Sequence, residues 1–420
     1  MRHLTIKLST LAVGAALAGF STGAFAGGFG IGTQSGSGTG NAFSGGAAAA
    51  DDASVAWSNP AGMSLLPSGK QVAFAGHLLR PSFKFQDQGS TIPPALGSGN
   101  GGDGGDWALV PNGFFTMTVN PKLRFGLALN VPFGLKTEYD NGWRGQLTAL
   151  KSEIKTININ PSVAYKLNNN VSIGAGVSVQ RIEAELSSFT GAAALGNAIL
   201  EADDVGYGFN LGLMFQPDAN TRVGLTYRSK IKYELEGTAT FTGVAGAAFN
   251  GNIRADLKVP DSVSLSFFRS LGPTWEVMAD ITWTGWSSVK RLDVIRTTTS
   301  AGGAAGSTLS TLLFNWEDTM RFGVGANYKL NSQTKLRFGL ALDESPTNDV
   351  DRTPRLPDQD RTWIAFGVQY KPSKAGVLEV GYAHEFVRDA RVTNATVAGT
   401  LNGTFENRAD IFSIQYSHLF

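Results

Sequence analysis

Lys122-Leu123-Arg124-Phe125-Gly126-Leu127-Ala128-Leu129 stands word for word a second time at Lys335 to Leu342. In both copies every second residue is large and apolar. Successive side chains on a strand point to opposite faces, so Leu123, Phe125, Leu127 and Leu129 share one face while Arg124, Gly126 and Ala128 share the other. One greasy face and one face of small or charged groups, repeated along a chain with no soluble-type core pattern, is the sequence form of a transmembrane β-barrel.

The ends of the chain agree with that reading. Arg2 and Lys7 form a positive segment, Leu8 to Phe20 a short apolar one, and Ala24-Phe25-Ala26 a small-x-small cleavage site, so residues 1–26 are expected to be a secretory signal peptide. The apolar run is too short to anchor in a bilayer, which takes roughly 20 residues. Without it the chain carries 33 basic and 34 acidic residues, so charge implies no nucleic acid or other polyanion as partner. There is no cysteine, which excludes disulfides and thiolate-bound metal. No later run of 18 apolar residues occurs, which excludes membrane-spanning helices. At the far end Phe412, Ile414, Tyr416, His418 and Phe420 alternate with Ser413, Gln415, Ser417 and Leu419. An amphipathic last strand closing on an aromatic residue resembles the signal read by outer-membrane assembly machinery, the expected partner during biogenesis.

Between these ends the alternation predicts fourteen strands, at 70–86, 107–119, 122–139, 152–166, 171–182, 205–215, 221–236, 252–269, 273–286, 315–329, 334–344, 359–371, 376–388 and 405–420. The number is even, as single-chain bacterial barrels require. Connections alternate in length. Asn120-Pro121, Asn168 to Asn170, Pro217 to Asn220, Leu271 to Pro273, Asn331 to Gln333 and Pro372 to Ala375 are short and rich in turn formers, the periplasmic pattern. Longer ones, including 88–106, 140–151, 188–204, 237–251, 297–313 and 345–358, read as extracellular loops. Tyr165, Phe215, Trp275, Tyr328, Tyr370 and Phe420 sit where short turns meet strands, as an interfacial aromatic girdle does. Ahead of the strands, residues 27–69 are rich in Gly, Ala and Ser, with a helix candidate over Ala42 to Ala53. Either a periplasmic tail or a plug fits this segment; Phe43, Val55, Trp57, Met63, Leu65 and Leu66 favour the plug, since a tail would expose them to water. The expected fold is thus all-β: a 14-stranded antiparallel transmembrane barrel at 70–420, plugged by a small N-terminal hatch with short helices.

Asp51-Asp52-Ala53 followed by Trp57-Ser58-Asn59-Pro60-Ala61 resembles the hatch of the FadL family, outer-membrane transporters of long-chain fatty acids and related hydrophobic compounds. The resemblance extends to Gly27-Gly28-Phe29, the Gly38 to Ser44 stretch, Gly142-Trp143, Leu356-Pro357-Asp358-Gln359-Asp360-Arg361 and the terminal Phe420, and so covers the mature chain. It implies a monomer in which extracellular loops capture ligand and pass it to an internal apolar pocket that Phe29 and its neighbours occupy. Ligand then leaves sideways into outer-membrane lipid through a kink of the third strand beside the hatch gate Asn59, Pro60 and Ala61. That strand carries Val131-Pro132-Phe133-Gly134; proline cannot donate to a ladder and glycine permits a bend, so a hole costs least here.

An acyl chain gains about 0.8 kcal/mol per buried methylene, so its route must be greasy throughout. A buried carboxylate needs a cation or donors. Arg124, Arg222, Arg228 and Arg337 all point inward by parity; the alternation does not choose among them, and for any one of them pairing with Glu276, Asp280 or Glu379 as a solvated lumen charge is the favoured reading. Phe189, Leu195, Ile199, Leu200, Phe241, Val244 and Phe249 place apolar groups on segments expected to face water, as a capture groove or as loops packed on each other. No catalytic constellation emerges. The histidines after the leader are His77, His384 and His418, of which the last two face lipid by parity, and the glycine strings near residue 30 lack the strand, helix and acid of a nucleotide site. No enzyme activity, cofactor or metal is expected. A general porin ranks lower than a transporter because of the plug. Long-chain fatty acids and small toluene-type aromatic hydrocarbons both remain as substrates, with the inward arginines favouring the acids.

Overall fold

The computed structural model describes residues 27–420; the expected signal peptide lies outside them. Fourteen antiparallel strands form a closed barrel. In chain order these are β1 Lys70–Asp87, β2 Ala108–Asn120, β3 Leu123–Asn130 with Gly134–Glu138, β4 Lys151–Lys166, β5 Val171–Phe189, β6 Asn197–Asp218 and β7 Thr221–Arg228 with Ile231–Phe241. They continue as β8 Gly251–Val259 with Ser262–Leu271, β9 Trp275–Thr284 with Arg291–Arg296, β10 Thr308–Leu313 with Thr319–Lys329, β11 Thr334–Asp343, β12 Arg361–Tyr370, β13 Gly376–Val387 with Ala390–Thr396 and β14 Gly399–Leu419. β14 pairs with β1 from Gln71↔Leu419 to Asp87↔Gly403, which leaves no open edge. No described helix is long and apolar enough to cross a membrane.

Several strands outrun the expected bounds. The segments expected as loops at 188–204, 237–251 and 297–313 are in part strand: β5 reaches Phe189, β6 starts at Asn197, β7 reaches Phe241 and β10 starts at Thr308. The cause is an inversion of polarity along each strand. On β6, Val205, Tyr207, Phe209, Leu211, Leu213 and Phe215 are exposed on the outside, where lipid lies. A few residues higher Glu201 and Asp203 take that outer row, and Leu200 and Ala202 turn inward. β7 and β8 repeat the pattern, with Lys232, Glu234, Arg254, Asp256 and Lys258 outside and Ile231, Tyr233, Leu235, Leu257 and Val259 buried. Lipid surrounds the lower storey and water the upper one, so the upper storey keeps its apolar groups inside.

The lower storey is filled by the hatch. Its helices are single turns, Gly36–Thr39, Gly46–Ala49 and Val55–Ser58, followed by a 3-10 segment Pro60–Leu65. The longer helix expected over Ala42 to Ala53 does not form. Ala42, Phe43 and Ala50 all adopt positive φ, and the carbonyls a helix would consume are taken by the wall. Arg321 binds the Ala42 carbonyl, Arg222 that of Ala49, Arg228 that of Trp57 at 2.9 Å, and Arg124 those of Pro67 and Leu66 at 3.1 and 3.2 Å. Each such charge-assisted bond contributes roughly 1.5–3 kcal/mol. Four arginines from β3, β7 and β10 thus clamp the plug by its backbone.

Candidate functional site: an apolar cavity beside a break in the wall

The ladder between β2 and β3 runs from Asn120↔Leu123 to Gly113↔Leu129 and stops there. Above it, the β2 residues Ala108 to Asn112 find no partner on β3, because Val131, Pro132 and Phe133 leave the sheet. On the other side β4 stays attached: Asn130 pairs with Asn158 and Gly134 with Lys155, so three residues of β3 span two of β4. The Thr156 hydroxyl donates to the Phe133 carbonyl at 2.6 Å and accepts from its amide at 3.0 Å, holding the bulge shut on that side. At this bulge the wall is therefore open on the β2 side and closed on the β4 side.

A strap from the N-terminal end covers this opening from inside. Ile31 donates to the Pro132 carbonyl at 2.8 Å and the Gly134 amide to the Phe29 carbonyl at 2.9 Å, so the strap pairs with the inturned backbone of β3. Gln34 donates to the Ile31 and Val131 carbonyls at 2.7 and 3.0 Å and accepts from Asn130 at 2.6 Å. Asn59, Pro60 and Ala61, expected beside the kink, sit elsewhere. Asn59 donates to the Ala47 and Leu213 carbonyls at 2.7 and 3.1 Å and accepts from the Ala61 amide at 3.1 Å, which caps the 3-10 segment and ties it to β6.

Above the strap lies the apolar interior of the upper storey. Phe29 is buried at its base, with ring centroids 5.8 Å from Phe133, 5.0 Å from Trp286 and 5.6 Å from Trp316. All three partners come from strand interruptions, in β3, β9 and β10, at one level of the barrel. A cavity of about 60 Å³ is enclosed by Phe29, Leu135, Ile154, Leu257 and Trp316, with Arg352 and Arg355 at its rim. Below the strap a second space of about 340 Å³ lies between hatch and wall and reaches Pro132 and Phe133. The strap is the partition between the two.

The four arginines read inward from parity do face the lumen, but their donors serve the hatch and neighbouring wall strands. Arg337 meets Glu379 at 2.8 Å and Asp51 at 2.9 Å. Burial opposes ionisation of Asp51, yet Lys335 and Arg337 outweigh it and hold the carboxyl well below the usual range. Arg321, inward by the same parity and opposite Asp280 at 3.2 Å, escaped the sequence reading. Of the two guanidiniums that line the cavity, both between β11 and β12, Arg352 ion-pairs Asp349, which leaves Arg355. It donates to Ser152 Oγ at 3.0 Å and the Lys151 carbonyl at 3.3 Å, and burial pushes its pKa down to about 10 with no carboxylate beside it among the described residues. No periodicity marks such a position.

Of the expected capture residues, Phe189, Leu195, Leu200, Phe241 and Phe249 all pack on the cluster around the cavity, with Phe241 and Phe249 rings 6.1 Å apart. Ile199 lies on the outward row of β6, and Val244 is fully exposed. These two differ from the rest because Ile199 shares the parity of Glu201 and Val244 tips a turn.

A plugged barrel with a lipid-facing band, an apolar inner cavity and an interrupted wall defines an outer-membrane transporter of hydrophobic compounds. The chain belongs to the outer membrane protein transport protein family (OMPP1/FadL/TodX), whose model matches residues 17–420. It is 27% identical to the long-chain fatty acid transport protein of Escherichia coli K12, over 98% of both chains. It is 28% identical to outer membrane protein P1 of Haemophilus influenzae, over 95% of this chain and 96% of that one. Its fold matches the crystal structure of a Pseudomonas aeruginosa FadL homologue with a TM-score of 0.84 at 25% identity, covering 94% of this chain and all of that one. The Pseudomonas putida toluene transporter TodX shares the fold with a TM-score of 0.68 at 21% identity, covering 88% and 94%.

Proposed function

We propose that this protein carries long-chain fatty acids passively across the outer membrane, with ligand entering the upper storey, displacing Phe29 and leaving between β2 and β3 into the bilayer. The observation that carries this reading is Arg355, a guanidinium without a carboxylate partner among the described residues, lining a mostly apolar cavity whose polar side also carries Asp351 and Arg352. A buried cation of this kind suits one end of an amphipathic acid, and the leucines and aromatics suit the other. The cavity of about 60 Å³ is well below the roughly 300 Å³ of an ordinary ligand pocket, so the Phe29 ring has to withdraw before a chain enters. Phe189, Leu195, Leu200, Phe241 and Phe249 would line the capture path, and Val131 to Gly134 the exit. The chain acts as a monomer, its last strand recognised by assembly machinery, and Asn59, Pro60 and Ala61 hold the hatch rather than gate it.

Small aromatic hydrocarbons are the second reading, favoured by the aromatic cage of Phe29, Phe133, Trp286 and Trp316. The deciding experiment compares uptake of labelled oleate and labelled toluene in cells without other hydrophobic channels. Arg355→Met should weaken oleate binding about tenfold, the ~1.4 kcal/mol of one charge-assisted contact, and leave toluene uptake unchanged. Unaltered oleate binding would remove Arg355 from the site and move the balance to hydrocarbons.

A further inference from the structure

The space of about 340 Å³ below the strap has a polar side that the hatch leaves largely unused. Arg228 ends the first part of β7, and the sheet register sets Ser262 of β8 beside it, Thr284 of β9 beside Ser262 and Thr319 of β10 beside Thr284. All four line the chamber. Arg228 donates through Nη2 to the Trp57 carbonyl at 2.9 Å, and its guanidinium lies 3.2 Å from the centroid of the Trp57 ring. Its Nη1 is buried without a hydrogen-bond partner. The hydroxyls of Ser262, Thr284 and Thr319 have no partner among the described residues either. On the other side of Arg228 in the register, Asn210 of β6 keeps its Nδ2 buried and unbonded. Buried donors in such number are ordinarily satisfied, by protein, water or a bound ligand.

The carboxylates of the same chamber belong to other parts of its wall. Asp51 meets Arg337 at 2.9 Å, Asp280 meets Arg321 at 3.2 Å, and Asp343 stands on β11 opposite Arg361 and Arg321. Of the chamber's three guanidiniums, Arg228 alone has no carboxylate partner among the described residues. Phe43, Trp57, Met278 and Trp363 give the lining an apolar part, and Pro132 and Phe133 carry it to the opening between β2 and β3. An acid leaving through that opening crosses this level away from water, where its carboxylate needs a cation and donors as much as it does above the strap. We propose that the row Arg228, Ser262, Thr284 and Thr319 is a second anion subsite, which takes the carboxylate of the transported acid after Arg355 while the chain lies toward Pro132 and Phe133. The place of the site rests on the chamber alone; the identity of the anion rests on the fatty-acid reading above.

Two measurements separate these. Crystals of the full protein soaked in sodium bromide should show an anomalous peak within hydrogen-bonding reach of Arg228 Nη1, which Arg228→Met removes. No peak, or one that survives the substitution, would overturn the subsite whatever the protein carries. Cells are then given labelled oleate or labelled oleyl alcohol, the same chain without a carboxylate. Arg228→Met should slow oleate uptake about tenfold, the size of one charge-assisted contact, and leave the alcohol unchanged. Because Arg228 also holds the Trp57 carbonyl, a second variant, Ser262→Ala with Thr284→Val, keeps that bond and should slow oleate a few-fold with the alcohol again unchanged. Equal loss of both compounds would reduce the row to a support for the hatch, and an unchanged oleate rate would remove the carboxylate from it; either result overturns the proposal. Wild-type cells that take up no oleate, with the bromide peak present, would overturn the fatty-acid reading and leave the anion site standing.

Discussion

The two copies of Lys-Leu-Arg-Phe-Gly-Leu-Ala-Leu lie in β3 and β11 and meet different fates. Both place leucines and phenylalanine toward lipid and arginine and glycine toward the hatch. In β11 the strand runs unbroken to Asp343, its arginine joins Asp51 and Glu379, and its lysine is buried against Glu276 at 3.0 Å. In β3 the lysine lies exposed at a turn, the arginine holds two hatch carbonyls, and the strand leaves the sheet one residue after Asn130. Eight identical residues therefore determine the strand and its faces. The residues that follow, Asn-Val-Pro-Phe-Gly in one and Asp-Glu-Ser-Pro in the other, decide whether the wall opens.

The sharpest way to break the comparison is at the arginines. Arg337→Met strands Asp51 and Glu379 and should cost about 3–5 kcal/mol in urea unfolding followed by tryptophan fluorescence in micelles, the scale of a broken buried ion pair. Arg124→Met leaves no charge unpaired, only two carbonyls and the Thr118 hydroxyl without a donor, and should cost about 1–3 kcal/mol. Equal losses would mean that the ion network contributes nothing beyond its hydrogen bonds. The glycines come next. A Cβ at Gly339 would strike the backbone of Asn41 and Ala42, whereas one at Gly126 would meet side chains alone, those of Met63, Ala56 and Ser162. Gly339→Ala should therefore cost roughly 1–3 kcal/mol and Gly126→Ala less, measured in the same way.

Making β3 resemble β11 tests function. Deleting Val131 and replacing Pro132 by Thr lets β3 match β4 residue for residue; oleate uptake should fall about tenfold, ~1.4 kcal/mol, while binding persists. Uptake at the wild-type rate would show that the exit lies elsewhere. The smallest effect is electrostatic. Asp51 titrates lower when folded than unfolded, so its contribution is full above the unfolded value of about 3.9 and fades as pH falls below it toward the folded one. Asp51→Asn should lose less stability than wild type between pH 5 and acid; parallel curves would contradict the pairing.

Alternation made the bilayer storey legible, because lipid outside and a polar plug inside give each strand a fixed sign. The same rule obscured the upper storey, where water outside inverts the sign and Asn197 to Asp204 reads as a loop. Pro132 marked the break directly, since no ladder accommodates it. Trp286 and Trp316 were invisible as site residues because they leave the strand period at interruptions, and Arg355 because it lies in irregular backbone. Arg321 was available from parity and its register with Asp280.

The arginine clamps on the hatch also impose an order in time. The plug is the first described part of the chain to be synthesised, yet its anchors come from β3, β7 and β10, and its ion partners Lys335 and Arg337 from β11. Seating must wait until most of the wall stands. A barrel caught just before that moment would be a wide, leaky ring, so the last event of assembly is the one that restores the membrane's electrical seal.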